Sequence, residues 1–373
     1  MRFLIISHVV HKINGCQVFA YGPYVKEINL WIKQVDEVVI LAPQKSDLLP
    51  NPIDLAYIHP NIKIVQAPEI DALTWLSRLK LIWNLPKIFF ELFIQMAKAD
   101  HIHLRCPGNM GLLGCLTQIF FSKKAKTAKY AGNWDPSSPQ PLTYRWQRNI
   151  LSNQFLTKNM KVLVYGDWGI GNKNLLSFFT ASYTVNEIEE TPLRTLDFPL
   201  IFIFVGSLHH GKNPMLSCLA TAELVAKRID CQLHLYGEGP ERISIQNFID
   251  QRDLKANIFL HGNVEGPILK KAYKASHFLL FASDSEGWPK AVAEAMFWGC
   301  VPITTSVSCV PQMLGNGERG ELIDKDPVLM ASTIEALLNN PTIYFQKASN
   351  AMKWSREFTI EKFEREIQKL LKE

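Results

Sequence analysis

The chain has 373 residues, 47% hydrophobic and 20% charged, which excludes a disordered chain and leaves room for two domains, each with its own core. Residues 1–195 carry 21 Lys and Arg against 14 Asp and Glu, and residues 196–373 carry 19 against 21; the N-terminal positive excess suits an anionic surface such as a membrane leaflet, with a solvated, partnerless face as the alternative. No window of about 20 residues is apolar throughout, no nucleic-acid motif appears, and the seven Cys sit at no metal spacing, so a membrane-spanning chain, a nucleic-acid binder and a disulfide scaffold are excluded in favour of a reduced, cytoplasmic protein.

The opening MRFLIISHVV reads as a strand over 3–6 and not as a signal peptide, because its apolar run is short and no small-residue cleavage site follows. A loop through His11, Lys12, Asn14, Gly15 and Cys16 leads into a helix expected from about 19 to 34. VDEVVILAP is the next strand, and this order opens a doubly wound parallel sheet whose ligands lie at the C-terminal strand edge. Gly15 lets the backbone approach a ligand closely. After a strand in IKIVQAP, residues 72–99 are apolar and aromatic at helical spacing, interrupted at Pro86. Two amphipathic helices are expected there, either as core helices or with one dipping into a lipid interface through Trp75, Trp83 and Phe89.

HIHLRCPGNMGLLG is a strand and turn that put His103 and Arg105 near the substrate edge; for His103 a satisfied core imidazole is the equal alternative. KYAGNWDP is a strand ending in Asn133, Trp134 and Asp135. A helix lies within 137–160, KVLVYG is another strand, and the polar, acidic residues 185–199 form the interdomain linker. LIFIFVGSLHHGKNP begins a second series, continued by QLHLYGEGPE and NIFLHGNVEGP, which argues for a second parallel sheet. The C-terminal tail places Phe358, Phe363, Ile367 and Leu370 at helical spacing.

Residues 283–301, SDSEGWPKAVAEAMFWGCV, carry the chemistry. They follow the apolar strand HFLLFA; SDSEG is a tight loop, Pro289 opens a helix and Gly299 closes it. Glu294 stands among apolar neighbours in that helix and needs a partner. The free N–H groups over 287–291 sit at the positive helix end, which suits a phosphate. With a diphosphate there, Glu294 reaches one side and Glu286 the other, fitting a ribose and a sugar ring; pairing of Glu294 with a distant Arg or Lys is the alternative.

EGWP followed by AVAEAMFWGCVPI resembles the donor-site signature of family 4 retaining glycosyltransferases of GT-B fold, the group 1 glycosyl transferases, and the resemblance covers the C-terminal half. It implies an α/β fold of two Rossmann-like doubly wound parallel-sheet domains facing a central cleft. The expected parts are an acceptor-side domain over 1–188, a nucleotide-sugar donor domain over 189–354, and a helix over 355–373 packing back on the first domain. By the same resemblance Glu286 contacts the transferred sugar, the stretch Gly287, Trp288, Pro289 and Lys290 holds the diphosphate, and Glu294 binds the ribose. Gly262, Asn263 and Val264 are expected beside the base, and the Gly15 loop faces the donor phosphates. VGSLHHGK matches the family's VGRL and downstream Lys: Lys212 is kept, but Ser207 replaces the Arg. Lys212 then acts alone or with another cation such as Arg105 or Lys290. Relatives also carry a His where KYAGNWDP has none, so the polar role falls to Asn133 or Asp135.

The resemblance therefore implies transfer, with retention, from a UDP- or GDP-sugar to a hydroxyl of a glycan or lipid-linked acceptor, in cell-envelope polysaccharide synthesis at the inner face of the cytoplasmic membrane. No cofactor is expected. A divalent ion is not expected to be required, although Asp284 and Glu286 can mimic an Asp-x-Asp clasp. Two rivals remain: a sugar-nucleotide epimerase of GT-B fold, and a non-catalytic nucleotide-binding partner protein.

Overall fold

The computed structural model describes residues 1–45, 49–51, 53–68, 75–168, 172–190 and 193–372, with residues 75–82 described through their backbone only. The chain forms two compact units, Met1–Phe179 with Phe363–Glu373, and Thr180–Lys362. In the first unit the order is β1 (Arg2–Ile6), β2 (Lys12–Asn14), β3 (Gln17–Tyr21), α1 (Gly22–Ile32), β4 (Glu37–Pro43), β5 (Asp54–Ala56), β6 (Ile62–Ala67), α2 (Trp75–Lys98), β7 (His101–Cys106), α3 (Asn109–Thr117), β8 (Ala125–Tyr130), α4 (Leu142–Ser152), β9 (Met160–Tyr165) and β10 (Leu175–Phe178). Seven strands make a parallel sheet in the order β10-β9-β8-β7-β1-β4-β6. The apolar run of β1 suits an interior strand because both its faces are covered, and Phe3, Leu4, Ile5 and Ile6 are buried.

The second unit contains β11 (Leu200–Val205), α5 (Pro214–Ala226), β12 (Cys231–Tyr236), α6 (Arg242–Gln251), β13 (Ile258–Gly262), α7 (Gly266–Ala275), β14 (Phe278–Phe281), α8 (Lys290–Phe297), β15 (Val301–Thr305), α9 (Val310–Met313), β16 (Glu321–Ile323), α10 (Pro327–Leu338) and α11 (Pro341–Ser355). Its parallel sheet runs β13-β12-β11-β14-β15-β16. In each unit the first strand lies beside the second strand on one side and the fourth on the other, so the winding reverses next to it. That reversal opens a crevice at the C-terminal strand ends, between the loops after β11 and β14 in the second unit and after β1 and β7 in the first. A last helix, α12 (Ile360–Lys372), brings the chain back to the first unit.

Three expectations need correction. The helix expected from about 19 begins at Gly22, because Gln17–Tyr21 pairs antiparallel with Lys12–Asn14 and Asp54–Ala56 in a small separate sheet. The two helices expected around Pro86 are one, α2. Proline removes one backbone donor there, and the helix continues because Ile88, Leu92 and Met96 are anchored in the core. Phe89 packs against that same core, so it is not a lipid-facing residue; the side chain of Trp75 lies outside the described residues. The units also divide before the polar linker. Residues 180–188 belong with the second unit, where the Ser182 hydroxyl donates to Glu294 at 2.6 Å and Tyr183 packs on Phe297 and Trp298.

Candidate functional site

The loops that follow β11 and β14 are stitched together at the crevice of the second unit. His209 Nδ1 accepts the Gly211 N–H at 3.0 Å and caps a 3-10 turn over His210–Lys212. Asn213, with φ 49 and ψ 48, turns the chain into α5; Asn tolerates this left-handed conformation better than most residues. Its Nδ2 donates to the Ala282 carbonyl at 2.8 Å and to Asp284 Oδ1 at 2.7 Å. The Asp284 N–H donates to the Gly211 carbonyl at 2.9 Å, and the Ser283 hydroxyl reaches the same carbonyl at 3.2 Å.

Across this seam Lys212 Nζ is ion-paired with Glu286 Oε1, with 23% and 9% of their side chains exposed. Asp284 is paired with Lys325 at 2.7 Å, and the Lys325 hydrogen bond, outweighing burial, holds the Asp284 carboxyl below its ordinary range. The Gly287 carbonyl accepts from Ser308 Oγ and Cys309 Sγ, each at 3.3 Å, which fixes the turn before α8. Trp288 is anchored against Trp354 and Phe358, at ring distances of 6.2 and 5.7 Å. Pro289 is the N-cap of α8 without a side-chain hydrogen bond, leaving Lys290 as the first helical residue, and Gly299 ends the helix region with φ 72.

Glu294 lies farther along α8 and accepts the Ser182 hydroxyl at 2.6 Å. Burial first and Glu294 second raise the Tyr273 phenol above its ordinary pKa. The carboxylate is thus held by hydroxyl chemistry of the kind a ribose diol also offers. Ser207 is exposed immediately after β11. Gly262, Asn263 and Val264 sit at the end of β13, on the same sheet edge, where Gly262 has φ 71 and its carbonyl accepts the Gly237 N–H at 2.9 Å. This assembly gathers an acid, a cation and the first-turn backbone amides of one helix start, which have no partner within the helix, a combination able to bind a diphosphate and stabilise charge on it. Among the described residues no three His, Cys, Asp or Glu gather into a metal cluster.

Residues 188–356 match the family described as glycosyl transferases group 1, which places the match on the second unit. Over its whole length the chain superposes on the sucrose-phosphate synthase of Thermosynechococcus elongatus with a TM-score of 0.67 at 17% identity, covering 100% of this chain and 98% of that one. Anabaena HepE in complex with UDP gives the same TM-score of 0.67 at 13% identity, covering 100% of both chains. The fold is GT-B. A curated relative, the Campylobacter jejuni GalNAc-alpha-(1->4)-GalNAc-alpha-(1->3)-diNAcBac-PP-undecaprenol alpha-1,4-N-acetyl-D-galactosaminyltransferase, is 24% identical over 176 residues, 46% of this chain and 48% of its own. The chain spans half or less of the length of the curated relatives it matches, from 29% to 50%.

The remaining expected residues lie in the first unit of this GT-B chain. Gly15 opens the two-residue turn between β2 and β3 with φ 61, a hairpin role that glycine fills without strain. His103 is a core imidazole: it is fully buried, 4.6 Å from the Trp31 ring, with Nδ1 2.9 Å from Thr127 Oγ1. Burial, helped by His101 and Arg105, pushes its pKa down to about 3. Arg105, expected as a cation assisting Lys212, is paired with Glu27 at 2.6 Å beneath α1, with 13% and 6% of the side chains exposed. Alternation along β7 puts His101, His103 and Arg105 on one face, and α1 covers it. Asn133 and Asp135 shape a turn. Asn133 Oδ1 accepts the Asp135 N–H at 2.9 Å, and Asp135 Oδ1 accepts both the N–H and the hydroxyl of Ser137.

Three residues went unread in the sequence. Asn213 carried a signal, since Asn-Pro marks a helix start. Ser182 carried none, because its partner Glu294 is 112 positions away. His8 is exposed at the end of β1, and a Cβ on Gly108 would come within 2.5 Å of its Nδ1. It therefore stands at the first unit's own crevice. A separate small cavity of about 120 Å³ opens nearer β4, β6 and α2, lined by Leu41, Val65, Ala67, Lys87, Ile88 and Glu91 among others.

Proposed function

We propose that this protein is a glycosyltransferase that moves a sugar from a UDP- or GDP-sugar to a hydroxyl of a glycan or lipid-linked acceptor, with retention, in cell-envelope polysaccharide synthesis. The observation that carries the reading is the Lys212–Glu286 pair held across two stitched loops at the start of α8. UDP in the HepE structure and the diphosphoundecaprenol-linked glycan in the Campylobacter enzyme's name support the donor and acceptor classes. In this reading the diphosphate displaces Glu286 from Lys212 Nζ and takes the helix-start amides. Lys212 then faces the leaving oxygen as its charge grows, Glu286 turns to the transferred sugar, and Glu294 takes the ribose hydroxyls now mimicked by Ser182. Lys290, first residue of α8, is the cation best placed in sequence to assist where Ser207 offers no charge. No metal is assigned a step. The seven free thiols, six of them buried, suit the reducing cytoplasm to which we assign the reaction.

The test is titration of UDP and GDP into the wild type and two variants, followed by donor turnover. Glu294→Ala is expected to weaken nucleotide binding about tenfold or more through loss of a charged hydrogen-bond acceptor. Glu286→Gln is expected to lower kcat about a hundredfold with a much smaller effect on nucleotide affinity. Unchanged nucleotide affinity in Glu294→Ala rejects the donor site, and an isomerised donor formed without acceptor rejects transfer in favour of epimerisation. The anomeric configuration of the product, read by NMR, tests retention.

A further inference from the structure

Helix α2 is apolar on two opposite sides. Its inward side, through Ile88, Leu92 and Met96, is buried in the core of the first unit. Half a turn away, where a surface helix ordinarily carries polar groups, stand Trp83 and Phe90, 84% and 66% exposed. Phe93 extends the patch sideways: its ring lies 6.4 Å from that of Phe120, which is 75% exposed on the 3-10 turn after α3. Single exposed apolar residues are ordinary, but a contiguous aromatic stripe on one face marks an interaction surface.

The charges around the stripe identify what it meets. Lys87 lies between Trp83 and Phe90 on the helix, and Lys98 and Lys123 are exposed at the end of α2 and just past Phe120. Two carboxylates stand nearby, Glu91 accepting from Gln95 Nε2 and Asp100 from the Arg2 backbone N–H, both at 2.7 Å; these neutral donors leave their charges in place, so the three lysines outnumber them. The first unit carries 23 Lys and Arg against 14 Asp and Glu, a surplus of nine, whereas the second carries 17 against 21. Aromatic side chains insert into the headgroup region without needing a shape-matched groove, while lysines pair with anionic headgroups above it. No helix among the described residues is long and apolar enough to cross a membrane, so the contact is interfacial.

We propose that the outward face of α2 and the adjoining Phe120 turn bed the protein onto an anionic lipid leaflet, with Trp83, Phe90 and Phe120 inserting and Lys87 and Lys123 meeting the headgroups. The test is flotation of the full chain with phosphatidylcholine vesicles, with and without an equal part of phosphatidylglycerol. Binding is expected with the anionic vesicles and to weaken as salt rises. The Trp83→Ser/Phe90→Ser variant, altered only at exposed positions, should retain its melting temperature and bind roughly tenfold less or weaker still. Lys87→Glu/Lys123→Glu should lose the preference for anionic lipid. Brominated lipid provides a second readout: it should quench wild-type fluorescence more than that of Trp83→Phe. Absent flotation of the wild type, or equal flotation of the Ser variant, overturns the proposal. So does light scattering that shows a dimer dissolved by the Ser substitutions without any vesicle binding, since the stripe then covers a second copy. Flotation reads no sugar chemistry, so its failure leaves the transferase reading untouched.

Discussion

Asn213 shows how much one side chain organises at the crevice of the second unit. Its amide joins the loop bearing Lys212 to the loop bearing Glu286, through Ala282 and Asp284. Its left-handed backbone also lets the 3-10 turn pass into α5. Removing the amide separates two loops whose register sets the acid and the cation in contact. Asn213→Ala is therefore expected to weaken UDP binding several-fold and to cost about 2 kcal/mol of stability, from lost hydrogen bonds and backbone strain together. Asn213→Gly relieves the strain but still lacks the bridge. Calorimetry of UDP binding and urea denaturation separate the effects: both variants should bind weakly, with Gly the more stable. Wild-type affinity in the Gly variant contradicts a bridging role.

At the scale of elements, β7 illustrates how a sheet face buries groups that look functional when read in line. His101 and His103 share Thr127 as a hydrogen-bond partner at 2.9 Å, and burial lowers their pKa values to about 4 and about 3. In the unfolded chain both titrate near the ordinary value of about 6.5. Above that pH both states hold them neutral and nothing is lost. As pH falls from about 6.5 toward 4, the unfolded chain gains protons that the folded chain refuses, so stability declines by about 1 kcal/mol per pH unit for each imidazole. Urea midpoints at pH 7.5 and pH 5 measure this, and the loss should shrink in His103→Gln. A midpoint that stays level across this interval would show that these rings protonate within the fold.

At the scale of the whole molecule, the chain finishes in the unit where it began. Phe363 on α12 meets Phe178 and Phe179 at ring distances of 5.3 and 5.6 Å, and Ile367 is buried behind it. Lys129, fully buried on β8, donates to the Phe179 carbonyl at 3.0 Å and lies 4.4 to 5.6 Å from the rings of Tyr165, Phe178 and Phe363. Desolvated cation–π contacts of this kind reach about 2 kcal/mol. Phe363→Ala opens a cavity over that ammonium and is expected to cost about 3 to 5 kcal/mol in the first unit. Thermal unfolding should show the first unit's transition shifted down, and a loss confined to the second unit would refute the assignment of α12.

The amino-acid order alone determined the alternation of strand and helix, the loop-and-helix motif from Glu286 to Glu294, and the helix bounded by Pro289 and Gly299. Each rests on periodicity or on a residue whose own backbone preference acts within a few positions. It also exposed the absence of an Arg at Ser207. Tertiary structure decided the partners. Lys212 meets Glu286 across 74 positions, Glu294 meets Ser182 across 112, and Arg105 is neutralised by Glu27 across 78. It likewise turned residues 17–21 into a strand, because pairing with 12–14 and 54–56 outweighed their local pattern. Contacts over such separations depend on which strands become neighbours and which helix covers each face, and no local spacing encodes that outcome.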